Sequence, residues 1–535
     1  MAEPSAGAGA VPLLARISDY PAHWAERTPE AAAVFFAGER WTFPELSERV
    51  DRYARALFAA GVGKGDRVSV LSTPRPEFFV AFLATASIGG IWVGLNPRYT
   101  PGEIARVLSD AAPCVVLALA AFEGEDLAGR LAEAAALAKF GGRLVAFGGA
   151  HDGFEPLDAF LDAGNAVGDA ALAARRAEVM PDDPVLIVYT SGSTGEPKGA
   201  LLTHFGLCHG YSVQTAHFAL EGACIVCNLP VNHIGCVGDL CCAPMVGGGA
   251  ITFMERFDPQ GILAAIDSGQ VHCMLGVPTM LQIMTELPSF ATADFSRVRL
   301  ICWGGAALPR NVLAKLREKG CRLGVTYGMS EVPGSITMSD ADAGDEELTR
   351  TVGRPTAGLA LRLVAEDGHV CAVGEEGEVR LRHPSVLHAY FRRPEATREA
   401  FDEDGYLRTG DVGVLDASGN LRLVGRKKEM FKSGGYNVYP REIEVCLEQH
   451  PDVALAAVIG VPDPLYQEVG HAYVIPRQGV AHDGLSEALA AWCRERLANY
   501  KRPKRITASD ELPLLPVGKV DKVELKRRQA AAAAV

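Results

Sequence analysis

A run rich in glycine and hydroxyl residues follows an apolar segment and has the composition of a phosphate-binding loop. It reads TSGSTGEPKG from Thr190 to Gly199. Glycines let backbone N–H groups approach an anion, and hydroxyls and a lysine add donors and charge. A flexible linker would not need this position next to a buried strand. Because Lys198 is followed by glycine, the Walker pattern does not fit. The residues predicted to contact a triphosphate are Thr190, Ser191, Gly192, Ser193, Thr194, Gly195 and Lys198.

Further motifs complete a pattern that resembles the acyl-adenylate-forming superfamily, which includes acyl-CoA synthetases, luciferases and adenylation domains of peptide synthetases. After the loop come YGMSE at Tyr327 to Glu331, YLRTGD ending at Asp411, and LPVGKVDK around Lys519. The resemblance covers nearly the whole chain. It implies an AMP-forming acid–thiol ligase of the acyl-CoA synthetase branch, which converts an acid and ATP to an acyl-AMP and then transfers the acyl group to CoA.

The resemblance also implies how the nucleotide is bound. Tyr327 would lie against the purine ring and Glu331 would hold Mg²⁺ between phosphates. Asp411 would accept hydrogen bonds from the ribose hydroxyls, with Arg426 as its partner; without the resemblance, Asp411 would be a turn residue. The small residues after the apolar run LICW would let the backbone approach the base. The remaining implied contacts are Gly305, Ala306, Gly328 and Ser330.

Catalysis is assigned by the same resemblance to four residues, namely Lys519, His233, Glu331 and Lys198. A positive charge at Lys519 would bring the carboxylate and the α-phosphate together and stabilise charge in the transition state. The alternative is a solvated residue of a basic tail. Lys428 corresponds to a hinge about which the small domain rotates between the two half-reactions.

The segment FKSGGYNVYPREIE, from Phe431 to Glu444, bears on the acceptor. Resemblance to CoA ligases predicts CoA contacts at Lys432, Gly434, Gly435 and Asn437. The alternative for SGG is an ordinary turn. Two other functions remain open: loading a separate carrier protein, and binding of nucleotide by a non-catalytic homologue. A non-catalytic homologue would be expected to lose its charged residues, and all of them are present.

The acid is expected to bind against the segment LPVNHIGCVGD, from Leu229 to Asp239. His233 matches a gate at the carboxylate's approach, although a structural histidine is the alternative. Asp239 is unusual in such a wall; if it lines the pocket, it favours an acid with a donor or cationic group, because an unpaired buried carboxylate is costly. The acid is predicted to be aromatic, alicyclic or medium-chain. The predicted pocket residues are His233, Ile234, Gly235, Asp239, Gly304 and Met329.

Composition excludes several other classes of function. The 535 residues carry a net charge of −13, and the pI is near 5.6, which argues against a nucleic-acid-binding face. No apolar stretch is long enough to span a bilayer. Thirteen cysteines in apolar surroundings suit reduced thiols of a cytoplasmic protein. The expected partners are the acid, ATP and CoA, and a homodimer is a further expectation.

The elements that would position these residues belong to an α/β protein. Apolar runs such as RVSVLS, VLIVYT and LICWGG alternate with helical patterns, which indicates layered α/β subdomains with buried sheets. Beyond about residue 351, short alternating runs predict a small antiparallel, barrel-like part. We predict an adenylation domain over residues 1–425 and a small mobile α+β domain over residues 426–535, with a polar, flexible crossing between Gly425 and Glu429.

Overall fold

The computed structural model describes residues 11–190, 197–515 and 520–533, which together contain both strands and helices. The strands are β1 Ala32–Phe36, β2 Glu39–Thr42, β3 Arg67–Leu71, β4 Ile91–Leu95, β5 Val115–Leu119, β6 Ala121–Phe122, β7 Glu125–Asp126, β8 Arg143–Phe147, β9 Glu155–Pro156, β10 Pro184–Thr190, β11 Lys198–Thr203, β12 Ile225–Cys227, β13 Ile251–Phe253, β14 Cys273–Gly276, β15 Leu300–Gly304, β16 Arg322–Met329, β17 Val332–Met338, β18 Arg354–Pro355, β19 Ala360–Val364, β20 Glu376–Arg382, β21 Ala389–Tyr390, β22 Leu407–Leu415, β23 Leu421–Arg426, β24 Phe431–Ser433, β25 Tyr436–Val438, β26 Val453–Asp463, β27 Gln467–Pro476 and β28 Arg505–Ala508.

The helices lie between these strands and cover the sheets. The α-helices are α1 Tyr20–Arg27, α2 Phe43–Ala59, α3 Pro76–Ser87, α4 Pro101–Ala111, α5 Leu127–Ala138, α6 Leu157–Ala163, α7 Asp169–Ala177, α8 His204–Phe218, α9 Ala243–Val246, α10 Pro259–Asp267, α11 Pro278–Glu286, α12 Pro288–Thr292, α13 Arg310–Arg317, α14 Asp345–Arg350, α15 Pro394–Ala400, α16 Pro440–Glu448, α17 Leu485–Arg496 and α18 Lys522–Ala533. A π-helix spans Gly235–Cys242, and short 3₁₀-helices span Ile17–Asp19, Gly164–Ala166, Lys427–Glu429 and Asn499–Lys501.

A nine-stranded sheet has the order β18-β17-β16-β15-β14-β12-β13-β1-β2. Its central strands β14, β15 and β16 are parallel, whereas β17 and β18 add to the sheet antiparallel. Parallel strands end at the same edge of a sheet, where ligands of α/β proteins commonly bind. The end of β15 and the residues after it, Gly304 to Ala306, therefore lie beside the YGMSE segment, which begins at the end of β16.

An eight-stranded sheet, β21-β11-β10-β4-β3-β5-β8-β9, carries the predicted phosphate loop. Strands β10 and β11 form an antiparallel hairpin in which Thr190 is opposite Lys198, and the glycine-rich run connects them. Helix α3 is buried almost completely, and Phe78 and Phe82 on it pack against Trp92 of β4. The two large sheets and their helices confirm the expected α/β layers.

Most predicted elements are present, with small differences at their ends. Strand β12 is short, because only Ile225–Cys227 of the segment from Cys224 to Pro230 pairs with its neighbours. Asn228 and Pro230 end the pairing, because proline has no N–H for a ladder. Helix α2 begins at Phe43 behind a Thr42–Glu45 capping box, a motif that satisfies free N–H groups in its first turn.

The C-terminal part contains a smaller set of sheets. Strands β19-β20-β22-β23 form an antiparallel sheet, and β24 to β28 form a separate five-stranded one. The latter has its own core, which includes Phe431, Ile443 and Val458. Strand β23 runs into the 3₁₀-helix Lys427–Glu429, so the crossing predicted to be flexible has regular structure. None of the thirteen cysteines is in a disulfide. In the described ranges, no helix combines the length and apolarity that a bilayer span requires.

Candidate functional site

Asp411 is held on both carboxylate oxygens. It lies on β22 opposite Arg426 of β23, whose Nε donates to Oδ1 at 2.6 Å. The hydroxyl of Tyr327 donates to Oδ2, also at 2.6 Å. Burial lowers the pKa of the Arg426 guanidinium, but Asp411 more than reverses this and the net shift is upward. Asp411 therefore keeps one fixed orientation, with remaining lone pairs for other donors. The bond from the Tyr327 hydroxyl was not expected from the sequence, which indicated only a ring against a purine.

Glu331 lies in the same cleft and is buried. The hydroxyl of Tyr390 donates to its Oε1 at 2.8 Å. Burial raises the pKa of Glu331, and the bond from Tyr390 partly opposes the rise. Lys198 extends over the ring of Tyr390, with Nζ 5.7 Å from the ring centroid, a distance at which a cation–π attraction operates. Tyr390 thus connects two residues that the sequence did assign, although no motif pointed to it.

The base of the phosphate loop is braced by polar contacts. The Tyr189 hydroxyl donates to Asp110 Oδ2 at 2.7 Å, and Arg393 Nη2 donates to Asp110 Oδ1 at 2.9 Å. Thr190 and Lys198 are therefore fixed at the loop's two ends. The predicted contacts Ser191, Gly192, Ser193, Thr194 and Gly195 lie outside the described residues, as does Lys519, and their roles stay predictions.

The ends of β15 and β16 form an open ledge near Tyr327. Gly305 and Ala306 are exposed, and Gly305 has φ +82°, a conformation that favours glycine. A Cβ at Gly304 would lie 3.2 Å from the Thr326 backbone oxygen, so a side chain there would be crowded. Beside this ledge Gly328 is exposed, and Met329 and Ser330 are half-buried. This exposed backbone leaves room for a flat ligand, and binding of the base at these positions stays a prediction.

Lys428 adds a positive charge to this cleft. The residue is exposed, yet partial desolvation lowers its pKa first and the neighbouring Arg426 lowers it further. Asp411 and Glu331 are close enough to act in the opposite direction. Lys428, Arg426, Asp411 and Glu331 therefore form one electrostatic cluster, which brings the predicted hinge residue next to the predicted nucleotide site.

The predicted CoA residues lie on a different element, the hairpin of β24 and β25. Lys432 is opposite Asn437, and both are exposed. Gly434 and Gly435 form the turn with φ +58° and +86°, which matches a tight hairpin turn with two positive φ values. The turn accounts for both glycines by itself, so CoA binding at this hairpin stays a prediction.

The predicted acid wall begins at His233. Its ring is half-buried, and its Nδ1 accepts a hydrogen bond from the Gly235 N–H at 3.0 Å. A Cβ at Gly235 would lie 2.9 Å from that nitrogen, which explains the small residue. Ile234 and Gly235 are buried, whereas Asp239 on the following π-helix keeps accessible surface. Single π-turns occur often at functional sites, which is consistent with this placement.

Comparison with known proteins agrees with the geometry. Residues 21–391 match the AMP-binding enzyme family, and residues 442–519 match the AMP-binding enzyme C-terminal domain. A feruloyl-CoA synthase from Amycolatopsis sp is 36% identical over 96% of this chain and 99% of that protein. A ligase from Mycobacterium tuberculosis that acts on an octahydroindenyl-propanoyl group and CoA is also 36% identical, over 93% of this chain and 96% of its own. The solved structure of an amide bond synthetase from Marinactinospora thermotolerans has a TM-score of 0.83, 28% identity, and coverage of 96% and 99%.

Proposed function

The chain belongs to the AMP-binding enzyme family and is an AMP-forming acyl-CoA synthetase, and we propose that it acts on an aromatic or alicyclic carboxylic acid. ATP and CoA are its co-substrates. The two relatives named above, of which one has an aromatic and the other an alicyclic acyl group, support this substrate class. The carboxylate of the acid attacks the α-phosphate of ATP and pyrophosphate leaves; the CoA thiol then attacks the acyl carbon and AMP leaves.

One observation carries the assignment of the nucleotide site. Asp411 is fixed by Arg426 and Tyr327 in the same cleft as Glu331 and Lys428. A fixed carboxylate is a good acceptor for two adjacent hydroxyls, because its lone pairs are already aimed. We therefore assign the ribose to Asp411, the base to the ledge at Gly305 and Ala306, and the phosphates to Lys198 and the loop that begins at Thr190.

A magnesium ion is proposed at Glu331. Mg²⁺ prefers carboxylate oxygens and phosphates, and Glu331 offers an oxygen next to Lys198 and Tyr390. The Tyr390 hydroxyl occupies Oε1 and leaves Oε2 for a ligand. When bound, the ion would neutralise phosphate charge. Burial raises the pKa of Glu331, and a nearby cation would lower it again. The ionised carboxylate of Glu331 and a bound Mg²⁺ would therefore stabilise each other.

The acceptor, location and assembly are also part of the proposal. We propose the hairpin with Lys432, Gly434, Gly435 and Asn437 as the approach for CoA, a cytoplasmic location, and a homodimer. Light scattering of the purified protein tests the last point directly. A monomeric mass at micromolar concentration would contradict the proposed homodimer and would leave the catalytic assignment unaffected.

The decisive experiment measures pyrophosphate release and acyl product together across a library of aromatic and alicyclic acids. Each acid is incubated with MgATP alone, with CoA, with an acyl carrier protein, and with a primary amine. We expect multiple turnovers and a thioester only with CoA. Carrier acylation or amide formation at a higher rate than thioester formation would contradict the CoA assignment. A purified protein that binds ATP but releases no pyrophosphate with any acid would contradict the enzyme assignment.

A further inference from the structure

Asp239 occupies an unusual place on the π-helix Gly235–Cys242. Gly238 and Leu240 on either side are buried, whereas Asp239 keeps accessible surface. Burial nevertheless raises its pKa from 3.8 to about 7, and Gln214 lowers it only in part. A carboxyl group that is desolvated but still has accessible surface lines an internal cavity rather than the outer surface of the protein.

The neighbours of Asp239 identify which space this is. Burial raises the pKa of Tyr211 on α8 and of Cys302 on β15, and the Asp239 carboxylate adds to both shifts. Cys302 is in turn next to Thr326 of β16, whose Oγ1 would lie 3.2 Å from a Cβ at Gly304. This chain of neighbours leads from Asp239 to the ledge where the predicted acid pocket meets the nucleotide.

Polar atoms around Asp239 lack partners. In the part of the chain that is described, the Tyr211 hydroxyl and Gln214 Nε2 make no hydrogen bond, although both side chains are almost wholly buried. Gln214 Oε1 does accept from Ser335 Oγ at 3.1 Å, so the amide orientation is fixed with its N–H groups free. The Gln214 side chain faces the Asp239 carboxyl, since it is the polar group that lowers the pKa of Asp239. Buried polar groups without partners are uncommon, and each costs free energy unless something binds it.

We propose that Asp239, Tyr211 and Gln214 form a polar end of the acid pocket that selects carboxylic acids carrying a second, hydrogen-bond-donating group, a hydroxyl or an amino group, away from the reacting carboxylate. Asp239 accepts the hydrogen bond from this group, and Tyr211 and Gln214 offer a donor each to its oxygen or nitrogen. The inference rests on the proposed function, since it assigns the substrate class of the same site. Asp239 is a specificity-determining residue and takes no part in the transfer of the acyl group.

The test compares matched acids by binding, so it does not depend on the acceptor. Each pair has the same skeleton and differs only in a hydroxyl or amino group against a methyl group, as in 3-(4-hydroxyphenyl)propanoate and 3-(4-methylphenyl)propanoate. Calorimetry gives the dissociation constant of each acid for the wild type, Asp239→Asn and Asp239→Leu. An exposed aspartate, Asp152, provides the control variant Asp152→Leu.

We expect the wild type and Asp152→Leu to prefer the donor-bearing member of at least one pair by about tenfold or more, since a site built to hydrogen-bond a group rejects the analogue that lacks it. Asp239→Leu should remove or invert that preference, and Asp239→Asn should reduce it. Asparagine is isosteric, so it keeps the test valid if the leucine variant does not fold. Equal binding of paired acids by the wild type, or a preference that both variants retain, overturns the proposal. If the protein does not use CoA, it would still discriminate between the paired acids in calorimetry but would form no thioester in the assay of the proposed function. The failure of one assignment can therefore be distinguished from the failure of the other.

Discussion

At the scale of single residues, the cleft depends on side chains that fix one another. Asp411 would be free to rotate if it had one partner, but Arg426 and Tyr327 occupy one oxygen each. Glu331 is fixed in a similar way by Tyr390. Ligand-binding carboxylates positioned before the ligand arrives lose less entropy on binding. The aromatic hydroxyls should therefore affect nucleotide affinity although neither is assigned a direct bond to ATP.

Tyr327→Phe tests this role of a hydroxyl. The substitution keeps the ring and removes the 2.6 Å hydrogen bond to Asp411. A hydrogen bond to a charged group contributes about 1.5–3 kcal/mol, so we expect the KM for ATP to rise by roughly 10-fold to 100-fold. The KM for the acid should change little. Pyrophosphate-release kinetics give both constants, with Tyr406→Phe as control. An effect on the acid's KM alone would place Tyr327 in the acid pocket instead.

Asp239 should make stability depend on pH in a characteristic direction. Its folded-state pKa is raised from 3.8 to about 7, so the folded chain binds this proton more tightly than the unfolded chain. The contribution of this carboxyl to the free energy of unfolding is therefore fully present below about pH 4 and is lost as the pH rises to about 7. The facing groups Tyr211, Cys242 and Cys302 all have pKa values raised by burial and remain neutral in that range.

Asp239→Asn should accordingly raise Tm more at pH 8 than at pH 5, because the wild type goes on losing stability across this interval while the asparagine variant does not titrate. One pKa unit corresponds to about 1.4 kcal/mol, so the gain at pH 8 is at most a few kcal/mol. Scanning calorimetry at the two pH values measures it, with Asp152→Asn as the exposed control. An equal change in Tm at both pH values would mean that Asp239 is ionised throughout.

The contrast between residues that the sequence revealed and those that it did not has a physical basis. Lys198, Asp411 and Glu331 belong to local motifs whose letters are contiguous. Tyr390 instead enters the cleft through the pairing of β21 with β11, and Gln214 approaches Asp239 from another helix. Such contacts are set by packing between distant segments, so no window of sequence contains them.

At the scale of elements, buried strands were the most predictable part of the fold. Strands β10 and β15 follow from apolar runs that end at glycine or polar residues, and their ends carry the site. The ordered 3₁₀-helix at Lys427–Glu429 was not predicted, because lysines and a glutamate suggest a solvated linker. Its order comes from partners elsewhere: Lys427 pairs with Glu378 at 3.5 Å, and Glu429 pairs with Lys522 at 2.7 Å.

Lys522 joins the C-terminal helix α18 to two other elements. Its Nζ is 2.7 Å from Glu429 and 2.7 Å from Glu444 of α16, whose Oε1 also accepts from the Val458 N–H. Burial lowers the pKa of Lys522, but the two carboxylates more than compensate and the net shift is upward. Removing one partner of a buried ion pair leaves the other charge uncompensated.

Lys522→Ala should therefore destabilise this region by about 1–3 kcal/mol, less than for a fully buried pair, because Lys522 and Glu429 are partly exposed and Glu444 keeps Arg441 as a partner. Amide hydrogen exchange is the appropriate measurement, because it resolves α18 and α16 separately from the large sheets. We expect faster exchange in both helices and unchanged exchange in β10 and β15. The exposed Lys526 of the same helix gives the control Lys526→Ala, which should leave exchange unchanged. Uniform destabilisation of the whole chain would contradict a local role.

At the scale of the whole molecule, the two half-reactions are assigned to different segments of the chain. Adenylation is predicted to need Lys519, and transfer to CoA is predicted to need open space at the turn of β24 and β25. The cleft around Asp411 is predicted to serve both steps, since AMP would stay bound between them. Variants at the two segments should therefore fail in opposite half-reactions.

Lys519→Ala should reduce acid-dependent pyrophosphate release by about 100-fold or more, the range for losing one preorganised electrostatic contact. It should still convert supplied acyl-AMP and CoA to the thioester within a few-fold of the wild-type rate.

Gly435→Leu should show the reverse behaviour. Acyl-AMP formation, trapped with hydroxylamine, should be normal, and thioester formation should slow by roughly 10-fold to 100-fold because the side chain obstructs the approach of CoA. Gly419 has φ +83°, close to the +86° of Gly435, and neither has an atom within 4 Å of a built Cβ. Gly419→Leu therefore introduces the same backbone strain away from the hairpin, and equal losses in the two glycine variants would show that strain, rather than obstruction of CoA, is responsible.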